Sequence, residues 1–361
     1  MSLKCPPVGG RDWSTNKNLQ FLNSQNNPEF YRMEDFKKLF DSFSSLKVGV
    51  IGDVMLDTYN WGRVDRVSPE APVPVVSLYK KEYRIGGAGN VALNCKSLGA
   101  AVSVLSVMGT DADGLQLEDL FESNDIDASY IVKSSERITT SKTRIISRNQ
   151  QMMRLDSEVI DDLTAKEETA LLDKIKNFIA DTDPDVIIFE DYNKGVLTEK
   201  MINETIKLCK EAGVITAVDP KRKNFFAYKQ ADIFKPNLKE VKEGLNLITD
   251  DINLAQLKRI HAELHNSLQH TVSFITLSEK GVFYEDKNGA QLIASHIRNI
   301  ADVSGAGDTV IAVASMVYAK TKNAQLMAEV ANIAGGLVCE EVGTVAISKE
   351  KLLHECELLL A

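Results

Sequence analysis

From residue 186 onward, short apolar runs alternate strictly with helical segments, and that rhythm leaves few folds open. An apolar run at 186–189 precedes a helical pattern over 198–211, and further strand patterns follow at 214–218 and 233–234. A strand pattern at 271–277, a hairpin around 286–289 and two long helices from Asp308 and Ala324 complete the series. Strands alternating with helices pair in parallel and are covered on both faces, so the expected class is α/β, a mostly parallel sheet between helical layers. Ligands of such sheets sit beyond the carboxyl ends of the strands. The residues directly after each run therefore carry the functional information: Asp53, Asp191, Asp219, Asn237 and Ser278.

Two stretches break the rhythm. Residues 61–84 set Val73, Val75 and Val76 among prolines and charges, and 139–155 alternate Thr, Ser, Arg and Ile. Both read as solvent-facing β structure rather than core. Gly86-Gly87-Ala88-Gly89 runs into a helical pattern at Asn90, and Phe36, Leu39, Phe40 and Phe43 recur at helical spacing. Residues 1–32 are polar and Asn-rich with no sustained period, and are expected to be an extension of one main domain over 33–361.

Composition narrows the function classes. The 361 residues carry a formal charge of −9, an acidic balance that argues against a nucleic-acid partner, which needs a clustered basic face. Anionic small molecules need only a local positive site and stay open. Five scattered cysteines without a CxxC pair point to a reducing compartment. The longest apolar run, 310–319, is far shorter than the ~20 residues that cross a bilayer, and the N-terminus has no apolar leader pattern. A cytoplasmic protein without membrane partners is expected.

The strongest motif is Asp302-Val303-Ser304-Gly305-Ala306-Gly307-Asp308-Thr309, followed by an apolar helix. Small residues let the backbone turn into the helix so that the amides of Gly305, Ala306 and Gly307 converge on an anion, aided by the helix dipole. Asp308 cannot ligate a phosphate, but it can take the proton of an attacking hydroxyl. A plain helix cap would use the same residue types.

This segment resembles the C-terminal signature of the ribokinase-like (PfkB) sugar kinases, and Gly86 to Asn90 resembles their N-terminal one. Three further strings, at 52–57, 68–76 and 147–156, strongly resemble the heptose-7-phosphate kinases, and 191–197 and 219–221 fit the same group. The likeness spans about residues 34–358. Two residues depart from the pattern: Glu190 stands where a small or polar residue is expected, and Asn193 where a small one is common.

The resemblance implies a ribokinase-like three-layer fold with a small β-sheet lid formed by 61–84 and 139–155. It implies Asp308 as base, Gly305, Ala306 and Gly307 as anion hole, and ATP with Mg²⁺ as phosphoryl source. Asn237-Leu238-Lys239-Glu240 would organise the Mg²⁺–phosphate end, with Glu240 nearest the metal, while Ser278, Gly281 and Asn332 would flank the nucleotide. Asp57, Gly86, Gly87 and Asn90 would hold the sugar. The acceptor it implies is a heptose 7-phosphate, phosphorylated at the anomeric hydroxyl. Its phosphate needs a cation, for which Arg66, Arg144, Arg148 and Lys194 are the candidates. Exposed apolar residues on the lid (Val73, Val75, Ile145) suggest a homodimer through it.

Other readings stay open. A kinase of the same fold could act on ribose, fructose or a fructose phosphate, and a non-catalytic sugar-binding regulator could share the scaffold. Nucleotidyl transfer is not expected of these residues, since none of the five histidines lies in a His-x-Gly-His loop. His261 and His265 have a spacing able to bind Zn²⁺, but a surface helix with two exposed histidines is the plainer reading. Lys221 is placed to meet phosphates.

Overall fold

The computed structural model describes residues 33–148, 150–248, 252–296 and 298–361, so the expected extension over 1–32 lies outside the described residues. The first strands are β1 (Lys47–Gly52), β2 (Val54–Val67), β3 (Pro74–Gly87), β4 (Ala101–Leu105), β5 (Val107–Gly109), β6 (Val132–Ser134), β7 (Ser141–Ser147) and β8 (Gln150–Ser157). The chain continues with β9 (Val186–Glu190), β10 (Ile215–Asp219), β11 (Ile233–Phe234), β12 (Val272–Thr276), β13 (Val282–Asp286) and β14 (Gly289–Ile293). The helices are α1 (Met33–Ser42), α2 (Ala88–Ser97), α3 (Ala112–Ser123), α4 (Ala165–Thr182) and α5 (Glu199–Ala212). After them come α6 (Leu238–Gly244), α7 (Leu254–Leu268), α8 (Ala306–Thr321), α9 (Ala324–Val338) and α10 (Lys349–Leu360).

One sheet has the order β14-β13-β12-β11-β10-β9-β1-β4, parallel from β12 to β4 with β13 and β14 antiparallel at the edge. Its central strands, such as β9 and β10, are buried along their whole length because both faces are covered. In β9, Val186 and Ile188 pack into one core with α1, α2, α8, α9 and α10, while Ile187 and Phe189 pack into another with α4, α5 and α7. The expected three layers are observed.

The lid is a four-stranded sheet, β3-β2-β7-β8. It is longer than the expected 61–84 and 139–155, because β2 leaves the core directly after Asp53 and β3 returns as far as Gly87. The roots were hidden in the sequence because Met55, Leu56 and Ile85 are buried and read as core. Helix α4 was not anticipated, although Thr164 and Glu167 close a reciprocal capping box at its start. A third C-terminal helix, α10, follows the two expected. No helix among the described residues is long and apolar enough to cross a membrane.

Candidate active site

Parallel register sets Glu190 of β9 opposite Asp219 of β10 at the carboxyl edge of the sheet. Both stand on the face covered by α8, whose first turn carries Asp308. Its N-cap, Gly305, has φ +78°, and a Cβ there would lie 2.9 Å from Asn90 Nδ2, so both the turn and the close approach call for glycine. Asn90 Nδ2 donates to Asp308 Oδ2 at 2.7 Å and the Tyr192 hydroxyl donates to Oδ1 at 2.8 Å. Burial pushes the Asp308 carboxyl up to about 6, against the lowering effect of these two donors. Near neutral pH it is thus an oriented carboxylate at a helix N-terminus. The Ala306 amide is engaged with the Val303 carbonyl at 3.3 Å, which makes it the least free of the three expected anion-hole donors.

Two lysines balance the neighbouring acids. Lys235 Nζ lies 2.7 Å from Asp219, and Lys221 Nζ lies 2.7 Å from Glu240 and 3.4 Å from Asp219. Asn237 and Glu240 form a capping box on α6: the Asn237 side chain accepts the Glu240 amide at 2.9 Å, and Glu240 Oε2 accepts the Asn237 amide at 2.8 Å. Leu238 packs at the edge of the α4–α5–α7 core, whereas Lys239 is exposed and faces Glu243 at 3.8 Å, away from the site. Ser278 and Gly281 form the turn between β12 and β13, and Gly281 has no room for a Cβ, which would stand 2.0 Å from the Ile293 carbonyl. The Asn332 side-chain amide donates to the Ala294 carbonyl at 2.8 Å, tying α9 to the segment after β14.

On the lid side Asp57 is buried and pairs with Arg144 at 2.7 Å. Gly86 allows this approach, since a Cβ there would be 2.8 Å from Asp57 Oδ2, and Gly87, at φ +59°, passes close to the Asp53 carbonyl. A cavity of about 460 Å³ opens under the lid between Tyr59, Trp61 and Arg144 on one side and Asp302 and Ser304 on the other. Arg148 lies exposed at the β7–β8 turn, and Arg66 is exposed near the end of β2. Lys194 is half-buried and paired with Glu158 at 2.7 Å.

Several roles were not read from the sequence. Tyr192, on the base itself, could have been found as the next residue after Asp191 beyond a strand end. Asp53 is a clamp: its carboxylate accepts the amides of Tyr192, Lys194 and Val196 at 2.9, 3.1 and 3.1 Å. Asp191 accepts the Tyr228 hydroxyl at 2.8 Å among the residues of the other core, turned from Asp308. Asn193 sits at φ +54°, a conformation that Asn tolerates, which accounts for that departure. His261 is half-buried with Nδ1 2.8 Å from Ser273 Oγ, so the expectation of two exposed histidines fails for it. Packing against β12 is the reason. Among the described residues no group of three or more His, Cys, Asp or Glu could hold a metal ion.

Glu190 is fully buried, and neither carboxylate oxygen has a hydrogen-bond partner among the described residues. Burial first, then Asp219 and Asp308, raise its pKa well above the usual range. The folded state therefore keeps a proton that the unfolded chain loses. Stability from this group is full below about pH 4.5 and is lost as pH rises toward the folded-state pKa. Glu190→Gln removes that loss. In denaturant titrations the variant gains on the wild type from pH 5 upward, by at most about 1.4 kcal/mol per pH unit; a gap independent of pH would contradict this.

Residues 45–351 match the model of the pfkB family carbohydrate kinases. The chain is 38% identical over 322 residues to the bifunctional protein HldE of Geobacter sulfurreducens, covering 89% of this chain and 65% of that one. It is 37% identical to the protein of that name from Helicobacter acinonychis, covering 85% and 65%. The chain thus spans a little under two thirds of the length of these curated relatives. Among solved structures it is similar to Escherichia coli phosphofructokinase-2 in complex with potassium (TM-score 0.72, 16% identity, 87% of this chain and 99% of that one). It is also similar to Arabidopsis thaliana ribokinase complexed with ribose and ATP (TM-score 0.66, 17% identity, 85% and 98%). A family model covering most of the domain, a ribokinase-like fold and a buried carboxylate at the start of α8 converge: this chain belongs to the pfkB family and is an ATP-dependent carbohydrate kinase.

Proposed function

We propose that the chain transfers the terminal phosphoryl group of ATP to the anomeric hydroxyl of D-glycero-D-manno-heptose 7-phosphate in the cytoplasm, giving the 1,7-bisphosphate. The observation that carries this is Asp308, buried at the head of α8 with both oxygens held by Asn90 and Tyr192, beneath a lid that bears Asp57. The strings at 52–57, 68–76 and 147–156 and the relatives named HldE favour a heptose phosphate over other sugars.

Asp308 accepts the proton of the acceptor hydroxyl as the oxygen attacks, and Asn90 and Tyr192 fix the carboxylate so that one oxygen edge faces it. The N-terminal amides of α8, with Lys221 and Lys235 close by, offset the negative charge of the phosphates. Both Glu240 oxygens are engaged, by the Asn237 amide and by Lys221, a donor set that suits Mg²⁺ held through its own waters. When bound, Mg²⁺ would neutralise phosphate charge. Closure of the lid excludes water from the transfer.

Incubation with ATP and a panel of heptose 7-phosphate, ribose, fructose and fructose 6-phosphate tests the reading, with phosphorus NMR locating the new ester. The highest kcat/KM falls on heptose 7-phosphate with the ester at the anomeric carbon; preference for another sugar overturns it. The exposed Val73, Leu78 and Tyr79 on β3 and its approach favour a homodimer through the lid. Light scattering of a Leu78→Glu, Tyr79→Glu variant should report monomer.

A further inference from the structure

Most cations on the lid's inner face have a carboxylate partner. Asp57 of β2 is the register partner of Arg84 on β3 and of Lys142 on β7, and Lys142 is in turn the partner of Asp156 on β8. Aligned partners point to the same face of a sheet, so these four side chains share the site-facing surface. Arg144 spends its guanidinium on Asp57 at 2.7 Å. Arg154 forms a two-pronged pair with Asp156 at 2.8 and 3.0 Å, and Arg84 reaches Glu82 and the carbonyls of Val342 and Thr344. Across the cleft, Lys194 is matched by Glu158. Lys142 is half-buried, and its ammonium has no hydrogen bond or carboxylate partner among the described residues.

Its surroundings point to an anion. The Lys142 ammonium lies 5.4 Å from the centre of the Tyr192 ring, and the hydroxyl of that same ring holds Asp308. Lys142 therefore stands one tyrosine away from the base, on the lid side. Lys221, on the nucleotide side, lies 5.5 Å from the same ring. Lys194 is near enough to disfavour the charge on Lys142, which partial burial disfavours first and Asp57 supports. The Lys142 ammonium, half-buried beside a second cation and without a carboxylate in ion-pair reach, is stabilised by an anion that comes to it. Lys194 shares that anion by exchanging Glu158 for it, from a backbone fixed by Asp53 at its amide and by Arg137 Nη2 at its carbonyl.

We propose that Lys142, with Lys194 beside it, seats the remote phosphate of the acceptor sugar and sets the preference for a phosphorylated sugar. Arg144, bound to Asp57, orients that carboxylate instead. This deepens the function proposed above and rests on the acceptor being a sugar phosphate.

The test compares kcat/KM for D-glycero-D-manno-heptose 7-phosphate and for the unphosphorylated heptose in wild type, Lys142→Met and Lys142→Arg. In Lys142→Met the preference for the phosphorylated sugar falls on the order of 30-fold, as the loss of a charged hydrogen bond implies, while KM for ATP stays within a factor of two. Lys142→Arg, which keeps the charge, retains most of the preference and shows that the fold is intact. An equal loss on both sugars overturns the proposal. So does a rise in KM for ATP alone, which would assign Lys142 to the transferred phosphoryl group. If the wild type instead prefers fructose 6-phosphate, the heptose reading fails but Lys142 is tested in the same way with fructose 6-phosphate and fructose. A wild-type preference for an unphosphorylated sugar overturns both.

Discussion

Asp308→Asn lowers kcat by about 10³- to 10⁴-fold and leaves the Kd for ATP within a few-fold, as read by steady-state kinetics and calorimetry. The amide cannot accept a proton from the acceptor hydroxyl. It also turns one of two acceptor oxygens into a donor facing Asn90 or Tyr192, both of which already donate there. Nucleotide affinity is spared because Lys221, Lys235 and the α6 cap are untouched. The same carboxylate sets the acid side of the pH profile. With burial pushing Asp308 up to about 6, kcat/KM for the wild type falls as pH drops through that value, since the protonated form is no base. Retention of more than a tenth of wild-type turnover in Asp308→Asn, or an acid limb near pH 4, would remove Asp308 from the role of base.

The contrast between this residue and its neighbours shows what a sequence exposes. Asp308 was legible because glycines, a helix start and an acid lie within a few positions, so local geometry alone restricts the chemistry. The alternating strands and helices were legible for the same reason, period being a local property. Asp53 was read as a site residue by its place after β1, yet its three partners lie 139 to 143 residues on, and only the fold reveals that it binds a loop. Lys142 was overlooked among many lid charges because its distinction is the lack of a partner, which depends on where Asp57 and Asp156 spend their charge. Arg148 lies in a stretch that resembles a substrate segment, and that it stands on an exposed turn at φ +50° is a property of the backbone course rather than of the local sequence.

Asp53→Ala destabilises the protein by at least about 3 kcal/mol, a drop in Tm of roughly 4–5 °C or more for a domain of this size, and also slows the enzyme. The Asp53 side chain is 1% exposed, and its oxygens are the acceptors for the amides of Tyr192, Lys194 and Val196. Removal leaves three donors without their acceptor, each costing about 1 kcal/mol or more. The backbone of Asp53 adds a second tie, its amide donating to the Glu190 carbonyl at 3.3 Å and its carbonyl accepting the Ala88 amide at 3.0 Å, and this tie survives the substitution. The change therefore acts on the 192–196 loop rather than on the joint between β1 and α2. Once that loop loosens, the Tyr192 hydroxyl leaves Asp308 and its lowering effect on the carboxyl goes with it. The acid limb of kcat/KM then moves above 6 while kcat falls by about tenfold, a shift that lost stability alone does not produce. Asp53→Asn, which keeps one acceptor oxygen, lies between wild type and alanine on both readouts. An alanine variant with a lowered Tm and an unmoved acid limb would separate the clamp from the chemistry and leave Asp308 oriented by Asn90 alone.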